Sequence, residues 1–110
     1  MNVETRELKH VTVVKVTGRV DSATAPELER VLSELINADR NQLVLDLEGA
    51  EYMSSAGLRV LVSMLKAAKK GGGDLRLAQL SSRVAEVFDL AGLTPVFGIH
   101  TDIVEAVGSF

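Results

Sequence analysis

Apolar residues recur along this chain with two different periods. Residues 3–8 (VETREL) and 11–18 (VTVVKVTG) are rich in β-branched side chains that partly alternate with polar ones. They read as two strands joined by a turn at Lys9-His10. From Thr24 the period changes. Leu28, Val31, Leu32, Leu35 and Ile36 fall at i, i+3, i+4 spacing, the stripe of an amphipathic helix over residues 24–39. Thr24 and Glu27 stand at capping-box spacing, and Pro26 lies in the first turn, where a missing N–H costs nothing.

Residues 42–47 (QLVLDL) are short, nearly all apolar and flanked by polar segments, as expected of a strand buried on both faces. A second helix is predicted from about Gly57 to Lys70, stopping at Gly71-Gly72-Gly73, where glycine relieves a left-handed turn. Residues 74–80 (DLRLAQL) alternate as a strand, and Ser81 or Ser82 then caps a helix that runs through Leu90 and is closed by Gly92. Residues 95–99 (PVFGI) predict a last short strand, and 101–107 (TDIVEAV) a C-terminal helix capped by Thr101. Strands alternating with helices at this spacing predict an α/β fold. The expectation is a single domain over residues 1–110, with a four- to five-stranded mixed, mostly parallel sheet and about four helices. Sites in such sheets gather where strands end and helices begin. GRVDSAT (18–24) lies at one such point and YMSSAG (52–57) at another.

Composition narrows the function classes. Of 110 residues 46% are hydrophobic but only 4% aromatic, so the core is built from Val, Leu, Ile and Ala. There is no cysteine, which excludes a disulfide framework and any thiolate-held metal. The formal charge of −3 and the scarcity of aromatics argue against a nucleic-acid partner. No apolar run approaches the roughly 18 residues of a membrane span, and MNVETRELKH lacks the apolar core of a secretory signal. A cytoplasmic location is expected.

Catalytic constellations are scarce. His10 and His100 stand apart, with no second ligand at metal spacing. MSSAG does not have the G-x-S-x-G pattern of a nucleophile elbow. KKGGGD follows a helix and precedes a strand, the reverse of a phosphate-binding loop. Asp21, Asp46, Glu48 and Glu51 could gather around a hard cation, although solvated surface is the stronger reading. Neither a metal, a cofactor nor an enzymatic activity is expected.

The serine turn carries two readings. Ser54 or Ser55 can simply cap the second helix. Alternatively, a hydroxyl at an exposed helix start can be phosphorylated without breaking the fold, since the helix dipole receives the charge. That helix is also broadly apolar. Leu58, Leu61, Val62, Leu65 and Ala68 make an inward stripe, while Val60, Met64 and Ala67 make an offset one, either further core or a docking strip.

VTGRVDSATAPELE (16–29), followed by LVLDLEGAEYMSSAGLRVLVSMLKAAKKGGGDLRLAQLSSRVAEVFDLAGL (43–93), closely resembles the STAS-domain anti-sigma factor antagonists of bacteria. The resemblance implies a partner switch. In that family a serine of the D-S-S-G-L turn is phosphorylated by an anti-sigma factor that is also a serine kinase of the histidine-kinase-like ATPase fold. A PP2C-type serine phosphatase reverses the modification. Matching M-S-S-A-G-L to M-D-S-S-G-L implies Ser55 as acceptor, with Ser54 in reserve. Ser54 then replaces the family's Asp, and Ala56 a frequent Ser. Asp21 and Thr24 match the family's G-E-L-D-x-x-T segment, with Arg19 in place of its acidic residue. The implied docking surface comprises Asp21, Ser22, Thr24, Ser54, Ser55, Ala56, Gly57, Val60 and Met64. Two other functions fit the sequence: an unswitched STAS scaffold or small-ligand-binding subunit of a transport or lipid-trafficking assembly, and a small hydrolase using Ser55.

Overall fold

The computed structural model describes all of residues 1–110. The elements follow in the order β1 (Asn2–Leu8), β2 (Val11–Val20), α1 (Ala25–Asn37), β3 (Gln42–Asp46), β4 (Ala50–Met53), α2 (Ser55–Lys70), β5 (Asp74–Ala78), α3 (Ser82–Leu90), β6 (Gly98–His100) and α4 (Ile103–Gly108). The α/β architecture is the expected one, but the sheet has six strands. The additional strand is β4, whose four residues are too few to show a period. Ala50 and Met53 are buried while Glu51 and Tyr52 face solvent.

Five strands lie in the order β1-β2-β3-β5-β6, and β4 pairs with β2. Only the β1–β2 hairpin is antiparallel. The ten residues of β2 serve two parallel partners in succession. Thr12–Lys15 pair with β3, and Gly18–Val20 pair with β4 beyond a register shift at Gly18/Arg19. Gly18 makes the shift at φ 95°, donating its N–H to the Gly49 carbonyl at 2.8 Å. Positive φ costs glycine nothing, so the strand can bend there and continue.

The two faces of the sheet are covered unequally. Val14, Val16 and Val20 of β2 and Leu43 and Leu45 of β3 join α1, α2 and α3 in the main core. Phe88 and Phe97 meet edge to face within it, 5.7 Å between ring centres. The other face carries a small core of Val11, Val13, Val44, Ala78 and Ala106, closed by α4 and by Phe110. Arg76 lies 4.0 Å over the Phe110 ring and donates to Ser109 Oγ at 2.7 Å, which pins the chain end to β5. Every apolar residue of β3 is therefore buried, as its composition predicts.

Two helix ends differ from expectation, and a third settles between two candidates. Thr24 makes no side-chain cap to α1, and Glu27 pairs with Arg30 instead of reaching back, so the proposed capping box does not form. Asp102 rather than Thr101 caps α4, accepting from Glu105 N–H at 2.7 Å. Ser81, not Ser82, caps α3. At the α2–β5 connection only Gly72 is left-handed, at φ 88°. Gly73 is there for space: a Cβ would lie 2.0 Å from the Asn41 carbonyl oxygen. The three glycine N–H groups all bond to carbonyls of the last turn of α2, which leaves none for a phosphate.

Two residues of the offset stripe of α2, Val60 and Met64, belong to the core, and Ala67 is half-buried. Val60 and Met64 are 9% and 7% exposed, so neither forms a docking strip on the surface of this domain. They pack with α1, where the Ser33 hydroxyl meets Met64 Sδ at 3.4 Å. Val62, assigned to the inward stripe, is instead half-buried at the edge of the core. Because α1 covers one flank of α2 and the sheet the other, the apolar band is wider than one core face requires. Met64→Ala should lower unfolding stability by about 2–4 kcal/mol in urea titration with the slope unchanged. A surface contact would lose a few tenths.

Candidate functional site

Two loops meet at the C-terminal ends of β2 and β4. The first, Asp21–Thr24, is built on reciprocal hydrogen bonds. Asp21 Oδ1 accepts from Ala23 N–H at 3.0 Å and Thr24 N–H at 3.1 Å, while Thr24 Oγ1 accepts from Asp21 N–H at 2.9 Å. The Thr24 hydroxyl donates to the Arg19 carbonyl at 2.9 Å. This is capping-box logic shifted one turn earlier, with Asp21 as acceptor and Thr24 as the reciprocating residue. The Thr24 N–H foremost, then the Ala23 N–H, the Thr24 hydroxyl and the Arg19 charge, hold the Asp21 carboxyl below the usual carboxylate range. Ser22 projects into solvent at the loop tip.

The second loop is the serine turn. Ser54 N–H donates to the Val20 carbonyl at 2.8 Å, which ties the start of α2 to the end of β2 and sets the two loops side by side. The hydroxyls of the serine pair are separated by role. Ser54 Oγ accepts from Gly57 N–H at 3.3 Å and is the N-cap of α2. Ser55 is the first helical residue, exposed, and its hydroxyl makes no hydrogen bond. Gly57 does not shape the turn through an unusual φ. A Cβ there would lie 2.5 Å from Met53 Sδ and 2.8 Å from Val20 Cγ1, so glycine lets the helix press against both strands.

Beside the turn, Arg19 and Tyr52 are partners across β2 and β4, and the guanidinium lies 4.3 Å over the ring. The cation that stands where the family has an acidic residue is thus held on an aromatic face. Behind the turn, Ser55, Leu58, Arg59, Val62, Ser63 and Lys66 of α2 form one wall of a shallow groove. Ala91 and Leu93, following α3, form the other wall.

The structure therefore brings together Asp21, Ser22 and Thr24 with Ser54, Ser55, Ala56 and Gly57, and places Val60 and Met64 beneath them in the core. Tyr52 and the groove escaped sequence reasoning. Arg59 had a signal, because it follows Ser55 by four residues and so shares its helix face. The carboxylates are dispersed. Asp46 binds Gln79 Nε2 at 2.8 Å and Glu48 N–H at 3.1 Å, and no three acidic or histidine side chains are arranged to hold a metal. Neither histidine lines the groove at Ser55; His100 faces Glu105 at 3.0 Å. No helix is long and apolar enough to cross a membrane.

The family model of the STAS domain matches residues 2–106. This chain belongs to the STAS domain family. The STAS domain here is 32% identical over 100 residues to the anti-sigma-B factor antagonist of Staphylococcus aureus, covering 91% of this chain and 93% of that protein. Among solved structures it is similar to an anti-sigma factor antagonist from Mycobacterium paratuberculosis, with a TM-score of 0.89, 25% identity, and coverage of 98% and 92%. It shares the fold of the Bacillus cell fate determinant SpoIIAA in its phosphorylated form, at a TM-score of 0.77, 17% identity and 98% coverage of both chains. STAS antagonists are in general not enzymes.

Two measurements test this geometry. Gly57→Ala should destabilise the STAS domain by about 1–3 kcal/mol through the clash with Met53 and Val20, although alanine is the better helix former. A gain in urea resistance would show that the Met53 side chain moves aside freely. The lowered pKa of Asp21 contributes stability that is complete above its unfolded value near 4 and is lost as pH falls through the folded one. Glu27, held down by Arg30, loses its share in the same window. Asp21→Asn should therefore flatten, without abolishing, the fall in stability between about pH 4 and pH 2.

Proposed function

We propose that this protein is an anti-sigma factor antagonist that works as a partner switch in the cytoplasm. Unphosphorylated, it binds an anti-sigma factor that is also a serine kinase of the histidine-kinase-like ATPase fold. Transfer of the γ-phosphoryl group of ATP to Ser55 Oγ releases the complex, and a PP2C-type serine phosphatase hydrolyses the ester to restore binding. ATP and Mg²⁺ belong to the kinase. Asp21, Ser22, Thr24, Ser54, Ala56 and Gly57 present the docking surface around the acceptor.

One observation carries the choice of residue. The Ser55 hydroxyl is exposed and unbonded, whereas the Ser54 hydroxyl is committed to the cap of α2. Phosphate adds about −1.5 to −2 charges at neutral pH. The modified domain thus passes from −3 to about −5 without losing a contact that holds it together. A partner packed on the turn must desolvate that dianion, a penalty on the order of several kcal/mol and enough to reverse binding. The relatives named as anti-sigma factor antagonists support the partner class.

The test is fragment mass spectrometry of the protein from its native host in growth and in starvation, paired with pull-down of the anti-sigma factor. The expected result is one phosphate on Ser55 with changing occupancy, constitutive binding by Ser55→Ala, and at least tenfold weaker binding by Ser55→Asp. Ser54→Ala should cost about 1 kcal/mol of stability and leave phosphorylation intact. An unmodified Ser55 in both conditions, or binding indifferent to Ser55→Asp, would overturn the switch.

A further inference from the structure

Arg30, Arg40 and Arg76 are paired with carboxylates, and Arg19 is stacked on the Tyr52 ring. Arg6, Arg83 and Arg59 have neither a side-chain hydrogen bond nor an ion pair, and of these three only one, Arg59, stands beside Ser55. It is exposed, and it lines the same groove as Ser55. Four residues along a helix is about 6 Å of rise and roughly one turn. Helical side chains lean toward the N-terminus, so a side chain at position 59 leans back over position 55. The groove holds no carboxylate that could compete for the guanidinium. Leu58 and Val62 are the apolar residues of its α2 wall, and Ala91 and Leu93 form the far wall.

We propose that Arg59 is a built-in receptor for the phosphate on Ser55, folding the phosphoserine into the groove between α2 and the turn after α3. This rests on Ser55 being the acceptor and adds what becomes of the phosphate once it is there. Guanidinium and phosphate match as a planar, two-pronged pair. Phosphorylation then does two things to the partner-facing surface: it adds an anion and withdraws a free cation. The other charges near the turn do not substitute for Arg59. Arg19 is stacked on Tyr52, and Asp21, engaged with its own loop, would oppose the phosphate. Lys66 shares the groove but lies eleven residues from Ser55, about 16 Å along the axis.

That distance supplies the control. Phosphoserine is placed at position 55 by ribosomal incorporation, and its second ionisation is followed by ³¹P NMR in the full chain, in Arg59→Gln and in Lys66→Gln. Both variants remove one positive charge from the same groove, but only one is within reach. The expected result is a phosphate pKa below the ordinary value near 6. Arg59→Gln should raise it by about half a unit or more, and Lys66→Gln by much less. Equal shifts in the two variants would mean a diffuse field with no receptor, and would overturn the proposal. So would a phosphate pKa that Arg59→Gln leaves unchanged. No kinase is used, so an unphosphorylated Ser55 in the host would sink the switch while leaving this result standing.

Discussion

The fit of α2 onto the ends of β2 and β4 is the constraint on which the rest of the site depends. At Gly57 there is no room for even one methyl group between the helix and the side chains of Val20 and Met53. Contact at that distance fixes where α2 begins, and so fixes Ser54 against the Val20 carbonyl and Ser55 just outside it. The same contact sets the serine turn beside the Asp21–Thr24 loop, because the two loops leave the ends of the paired strands β4 and β2. A modifiable residue must be accessible, yet its address must not wander. Here the accessibility comes from the first turn of a helix and the rigidity from the strands beneath it.

Within that frame the two serines are not redundant. A cap hydroxyl is bonded to the backbone and half-buried, and modifying it would remove the bond that stabilises the helix start. The next residue has no such duty. Ser54 in place of an aspartate keeps the capping chemistry while giving up a fixed negative charge beside Ser55. That loss makes the local field more favourable to a phosphate, in keeping with the uncompensated Arg59 one turn away.

Much of the fold was legible because its elements are long or chemically marked. The periodicity of Leu28, Leu32, Leu35 and Ile36, the nearly all-apolar segment Leu43–Leu47 and the capping serines each survive into the structure. The strand Ala50–Met53 was not legible, because four residues and one register shift leave no period to read. The cap of α1 was misplaced by one turn because Asp21 and Thr24 satisfy each other before Glu27 can take part. Val60 and Met64 illustrate a deeper ambiguity. An apolar residue off the main stripe has the same sequence signature whether another helix or a partner covers it, and only the position of α1 decides. Ser55 as the exposed hydroxyl was legible only as one of a pair, and the cap bond to Ser54 separated them.

The division of the interior into two clusters has a practical side. The main core under α1, α2 and α3 holds everything that shapes the serine turn, while α4 and Phe110 close a separate, smaller core on the opposite face. Phe110 is therefore remote in packing terms from the serine turn. A reporter or affinity handle joined after Phe110 would load the small core and leave the serine turn uncovered, whereas a handle near β4 would crowd it.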